Sequence, residues 1–174
     1  MTAGAEFSAD RRYRYRLWRG WDDTRKSLCW IMLNPSTADE QEDDATIRVC
    51  IGRAQRLGYG WIDVVNLFAL RSAHPDTLYD DPAPISHPNE PFRCDRALIS
   101  ATGIAGMVIC AWGKHGTYQS RAVHILANLK NRNIPAYVLK FNRDDSPAHP
   151  LRISYDKQPE PLFIIAPEII RCMI

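Results

Sequence analysis

The sequence predicts an α/β fold, a three-layer α/β/α sandwich with a mainly parallel central sheet. Three observations predict it. Short apolar runs, residues 28–33 and 61–67 among them, alternate with segments of helical periodicity, the pattern of successive strand–helix–strand units. The runs are unbroken rather than alternating, as expected for strands buried on both faces. The unusual polar residues fall where those runs end, and in such sheets ligands collect at the carboxyl ends of the strands.

Residues 13–18 alternate in type and read as a strand paired at an edge. Residues 28–33 (Leu-Cys-Trp-Ile-Met-Leu) form the first core strand, stopped by Asn34-Pro35. Residues 44–57 carry Ile47, Cys50, Ile51, Ala54 and Leu57 at helical spacing, with Gly58 placed to end the helix. Residues 61–67 are the second core strand, followed by a proline-rich loop through Pro91. Residues 92–105 read as a helix, 107–112 as a strand, 116–132 as a helix, 136–141 as the last strand and 142–150 as a polar loop. Residues 159–174 are apolar but cut by Pro161 and Pro167, which fits an added edge strand, a helix on the core or a poorly ordered end. No internal repeat or linker divides the chain, so residues 1–174 are expected to form one domain with its core at about 13–155.

An apolar fraction of 45% and a charged fraction of 24% argue against bulk disorder. The net charge of +2 excludes a protein that coats nucleic acid by charge alone. The charge is uneven, however. Arg11, Arg12, Arg14, Arg16 and Arg19 interleave with Tyr13, Tyr15, Trp18 and Trp21, while acids gather in residues 39–44. That basic aromatic stretch is suited to steering a polyanion; the plainer alternative is an edge strand with solvated arginines. No secretory signal opens the sequence and no run approaches the roughly 20 apolar residues of a membrane span, so a cytoplasmic location away from membranes is expected. Cys29, Cys50, Cys94, Cys110 and Cys172 are odd in number and widely spaced; reduced thiols fit them better than a zinc or iron–sulfur site. The histidines form no metal triad, so no cofactor is expected, with Asp39, Asp43 and Asp44 the acids that leave room for a cation. Neither a Walker loop nor the glycine-rich dinucleotide or nucleophile-elbow motifs occur.

Four strand-end loops carry the candidate chemistry. In Asn34-Pro35-Ser36-Thr37-Ala38-Asp39 the proline holds Asn34 extended, and Ser36, Thr37 and Asp39 are each credible helix caps. The loop offers a side-chain amide and free N–H groups for water or an anion; the alternative is an ordinary strand-exit turn. Asn66 brings a donor and an acceptor, as reading a base edge requires, unless it merely bonds its own loop. Gly113 and Gly116 bracket Lys114, which suits a phosphate or a tight turn. His149 on the last loop is able to donate to an oxygen developing negative charge, although lone surface histidines are common.

Taken in order, residues 13–19, 31–39, 46–48 (Thr-Ile-Arg), 58–60 (Gly-Tyr-Gly), 64–71, 111–113 (Ala-Trp-Gly) and 149–151 (His-Pro-Leu) resemble the bacterial family of unassigned role catalogued as domain of unknown function 1643. The resemblance runs from about Tyr13 to Leu151, departing at Ala45, where proline is expected, and in the apolar tail. The same elements are distantly similar to the uracil-DNA glycosylase superfamily. Asn34-Pro35 matches its water-positioning pair, Val64-Val65-Asn66 its base-reading strand, Ala111-Trp112-Gly113 its Trp-Gly strand end and His149-Pro150 its late His-Pro. After that histidine, Leu151-Arg152-Ile153-Ser154 replaces the usual Ser-Pro-Leu-Ser, and the cysteine pattern of the iron–sulfur branches is absent.

This second resemblance implies a glycosylase-like fold and a base flipped into a pocket. It implies catalytic roles for Asn34 and His149 and base reading by Asn66, with Phe68 or Trp112 stacking on the base. Ser36, Thr37, Arg71, Lys114 and Arg152 are the expected phosphate contacts. The expected partner is DNA or a nucleotide-like ligand. Two alternatives use the same pocket: a non-catalytic nucleic-acid-binding module, and an enzyme on a free nucleotide or nucleoside.

Overall fold

In a computed structural model describing residues 2–162, seven strands form one mixed sheet. They are β1 (Thr2–Phe7), β2 (Arg14–Gly20), β3 (Ser27–Met32), β4 (Trp61–Asn66), β5 (Met107–Cys110), β6 (Ala136–Val138) and β7 (Glu160–Pro161), in the spatial order β1-β2-β4-β3-β5-β6-β7. The central four, β4-β3-β5-β6, run parallel. The flanking pairs β1–β2, β2–β4 and β6–β7 are antiparallel.

The unbroken apolar runs become two-faced strands. Leu28, Trp30 and Met32 pack with Ile47, Cys50 and Ala54 of α1 (Ala45–Arg56) on one face. On the other face, Cys29 and Ile31 share a cluster with Leu78 of α2 (Thr77–Asp80), Leu98 of α3 (Arg93–Ile104) and Ile125 of α4 (Arg121–Asn131). Helices therefore cover both faces. The chain steps from β3 outward to β4 through α1, then returns past β3 through α3 to β5 and onward through α4 to β6. Strand order reverses between β3 and β5, and the carboxyl ends at such a reversal are the usual ligand position in open parallel sheets.

Most predicted elements recur within a residue or two; the departures have physical causes. Residues 13–18 are not at the edge, because β1 covers β2. The segment Thr-Ala-Gly-Ala-Glu-Phe has no apolar alternation to announce it, yet an added Cβ at Gly4 would come within 2.3 Å of the Trp18 ring, so smallness is what the pairing requires. The 116–132 helix is broken: residues 114–120 form a 3-10 turn, Tyr118 is extended, and Gln119 and Ser120 have positive φ, so α4 begins only at Arg121. The last strand stops at Val138, and Phe141 instead bridges to Pro147 in a hairpin. In the tail, Glu160–Pro161 adds an edge strand to β6; residues 163–174 lie outside the described residues.

Gly58, at φ +82°, ends α1 as expected. Its cap, however, is Asp44, whose carboxylate accepts from the Ile47 N–H at 2.9 Å, rather than Ser36, Thr37 or Asp39. Cys29, Cys50, Cys94 and Cys110 are free and buried, and burial pushes their thiols upward; Cys172 is outside the described residues. Among the described residues no helix is long and apolar enough to cross a membrane.

Candidate functional site

The loop between β3 and α1 is held from below by two buried arginines of β2. Arg14 Nη1 donates to the Ala38 carbonyl at 2.8 Å. Arg19, 2% exposed, donates to the Asp39 carbonyl at 2.6 Å, the Trp18 carbonyl at 2.9 Å and the Asp43 carboxylate at 2.8 Å. Burial lowers the Arg14 guanidinium to about 10, with Asp44 opposing the shift; it remains charged at neutral pH. The acids of this loop are engaged: Asp39 accepts from the Gln41 and Glu42 N–H groups, Asp43 pairs with Arg19 and Asp44 caps α1. Among the described residues no three His, Cys, Asp or Glu side chains converge as a metal-ligand set.

On this pinned loop sits Asn34. Its Nδ2 donates to the Ser72 carbonyl at 2.8 Å and the Pro35 carbonyl at 3.2 Å. Two carbonyls on one side fix the amide so that Oδ1, the acceptor, faces away from them. Backbone pairing continues past the ladder, with Leu67 N–H donating to the Met32 carbonyl and Phe68 N–H to the Leu33 carbonyl, both at 2.9 Å. Asn34 lies two residues beyond Met32, the parallel partner of Asn66, so about 7 Å further along the strand direction. Asn66 is 2% exposed, and its Oδ1 has no partner among the described residues. An orphaned buried acceptor costs about 1–3 kcal/mol. The end of β4 thus holds an amide at a stability cost.

His149 borders a groove of about 710 Å³ whose other walls include Gly113, residues 140–143, Arg152, Ser154 and Lys157. The Leu151 N–H donates to His149 Nδ1 at 3.4 Å, which makes Nδ1 the acceptor and leaves Nε2–H free to donate. His149 is an exposed residue whose ring is nevertheless partly desolvated by its neighbours. That partial burial lowers its pKa below the ordinary histidine value, while the charge of Asp44 pulls the other way. The shift favours the neutral imidazole. Arg53 of α1 fixes the groove wall by donating to the Ile153, Ser154 and Lys157 carbonyls at 3.1, 2.9 and 2.9 Å.

Residues 14–151 match the family described as Protein of unknown function (DUF1643). The chain belongs to that family. No curated protein and no solved structure gives a match.

Ala45, standing where proline is expected, is the first residue of α1, a position where the N–H has no intrahelical partner. Ser36 is half-buried and Thr37 exposed on the Asn34 loop. Arg152 is exposed on the groove, and Lys114 is exposed at the start of the 3-10 turn. Arg71 stands apart on a separate cavity with Arg11 and Arg12, its Nη1 donating to the Arg11 carbonyl at 3.1 Å.

Phe68 and Trp112 lie inside the core. Both rings are core residues, Phe68 fully buried, and Trp112 lies so close to Gly116 that an added Cβ there would meet it at 2.2 Å. Neither presents a free ring face. One exposed ring is Tyr79, packed 4.6 Å from Tyr118, with its hydroxyl 2.7 Å from His115 Nδ1. Their separation in sequence gave no signal of that cluster.

Proposed function

We propose that this protein accommodates an unstacked nucleobase at the carboxyl ends of β3 and β4 and hydrolyses its N-glycosidic bond in DNA. The observation that carries the reading is Asn66. Its amide is buried with one polar atom unpaired, and a side-chain amide offers the donor and acceptor that a base edge demands. A base supplying the missing bond recovers the desolvation cost at the moment of binding.

The chemistry follows from the other two side chains. Loss of the base leaves an oxocarbenium-like sugar and places negative charge on the departing base. Neutral His149, with Nδ1 accepting from Leu151, donates Nε2–H toward that charge. Asn34 Oδ1 accepts from a water and aims it at the sugar. An amide is too weak a base to deprotonate that water, so bond breaking runs ahead of attack. Exposed Arg152 and Lys114 are the phosphate contacts this reading retains.

The test is base release from single- and double-stranded oligonucleotides carrying uracil, hydroxymethyluracil, hypoxanthine or mismatched thymine. Asn34→Ala and His149→Ala are each expected to slow release by at least about tenfold, about 1.4 kcal/mol of barrier. A second reading, a binding module without catalysis, has its own support: the groove beside His149 is lined by Lys140, Arg143 and Arg152, which suit phosphate binding without any chemical step. Folded protein that binds oligonucleotides and releases no base from any of them replaces the first reading with the second.

A further inference from the structure

The groove beside His149 carries more than a site for one base requires. Lys140, Arg143, Arg152 and Lys157 line it, and no carboxylate does. Lys157 pairs with Glu160, whereas Lys140, Arg143 and Arg152 have no ion-pair partner among the described residues. Of the nearest acids in the sequence, all exposed, Asp144 accepts from Ser146 N–H and Oγ and Asp156 from Ser154 Oγ, and neither these nor Asp145 lines the groove. Unpaired like charges gathered in a depression repel one another and favour a polyanion.

The same walls expose two large apolar side chains. Phe141 is 38% exposed, between Lys140 and Arg143 in sequence, and Leu151 is 44% exposed beside Arg152. A free phosphate has no use for a ring. Duplex nucleic acid keeps its base faces stacked inside. A single strand presents phosphates and open base faces together, and a cationic groove with an exposed aromatic is the combination that holds one. The bridge from Phe141 to Pro147 fixes the ring's strand, and Arg53 fixes the opposite wall.

We propose that this groove is a track for single-stranded nucleic acid, with a base stacked on Phe141 and flanking phosphates on Lys140, Arg143 and Arg152. The proposal rests on the nucleic-acid reading of the site, and it assigns the substrate as an unpaired strand reaching His149 along the groove.

The experiment measures binding of unmodified oligomers, so that it reads the track and not base release. Labelled oligodeoxythymidylate, oligouridylate and a duplex are titrated by anisotropy between ~50 mM and ~200 mM salt, with thymidine monophosphate as competitor. The wild type is expected to prefer a single strand to the duplex by about tenfold or more, the deoxy and ribo arms deciding which sugar it takes. Phe141→Ala is expected to lose about tenfold in affinity, with Phe141→Trp retaining it. Arg143→Ala with Arg152→Ala is expected to lower the log–log salt slope by about 1.4. Equal binding of duplex, wild-type affinity in folded Phe141→Ala, or full displacement by the mononucleotide overturns the proposal. Phe141-dependent binding without base release from any substrate keeps the track and removes the hydrolysis; base release unaffected by Phe141→Ala does the reverse.

Discussion

The arginines of the N-terminal hairpin and the cations of the His149 groove are alike in sequence and opposite in the fold. Arg11, Arg12, Arg14, Arg16 and Arg19 make the densest basic stretch in the chain, yet each has an internal partner. Arg11 pairs with Glu40, Arg12 with Asp81, Arg16 with Asp63 and Arg19 with Asp43, while Arg14 holds a loop carbonyl. That pairing engages each guanidinium within the fold, although the Arg11 and Arg12 side chains stay 50% and 60% exposed. Sparser in sequence, Lys140, Arg143 and Arg152 lie on a groove without an ion-pair partner among the described residues. What a cation is available for depends on its partners after folding rather than on its local density.

The largest effect that tests this contrast is on stability. Arg19→Ala leaves two carbonyls and a carboxylate without their donor, and is expected to cost about 3 kcal/mol in urea unfolding. Nucleic-acid affinity per folded molecule is expected to be unchanged. A variant as stable as the wild type would show that β2 does not brace the Asn34 loop.

The opposite pattern is expected in the groove. Arg143→Ala with Arg152→Ala touches exposed side chains without ion pairs, so its unfolding midpoint is expected to stay within about 0.5 kcal/mol of the wild type while oligonucleotide binding weakens. A large stability loss here would erase the distinction between the two regions.

The same contrast explains what the sequence made legible. The core strands are readable because burial on both faces leaves an unbroken apolar run, as in Leu28-Cys29-Trp30-Ile31-Met32, and Asn34 and Asn66 stand out because polar residues end those runs. β1 was unreadable because its role is to be small beneath Trp18. The depth of the two strand-end rings was not legible. Phe68 and Trp112 follow strands, and hydrophobicity says that a ring is to be covered without saying by what; Tyr118 packs against one and Gly116 against the other. The groove depends on Arg53 reaching residues about a hundred positions away, and no local pattern encodes such a bond.

The smallest expected effect is a pH dependence in which stability and binding move in opposite directions. Partial burial lowers the His149 pKa below 6.5 in the folded state, against the pull of Asp44. The unfolded chain then binds more protons than the native state between the lowered value and about 6.5, so this contribution to stability is complete above that range and is lost as pH falls through it. The imidazolium that forms at low pH adds a positive charge to a groove already rich in cations, which tightens binding to phosphates while the fold weakens. His149→Asn is expected to flatten both slopes in thermal melts and anisotropy titrations taken across the same pH range. If binding weakens on acidification and His149→Asn leaves that slope in place, the histidine does not face the strand, and its place at the groove is structural alone.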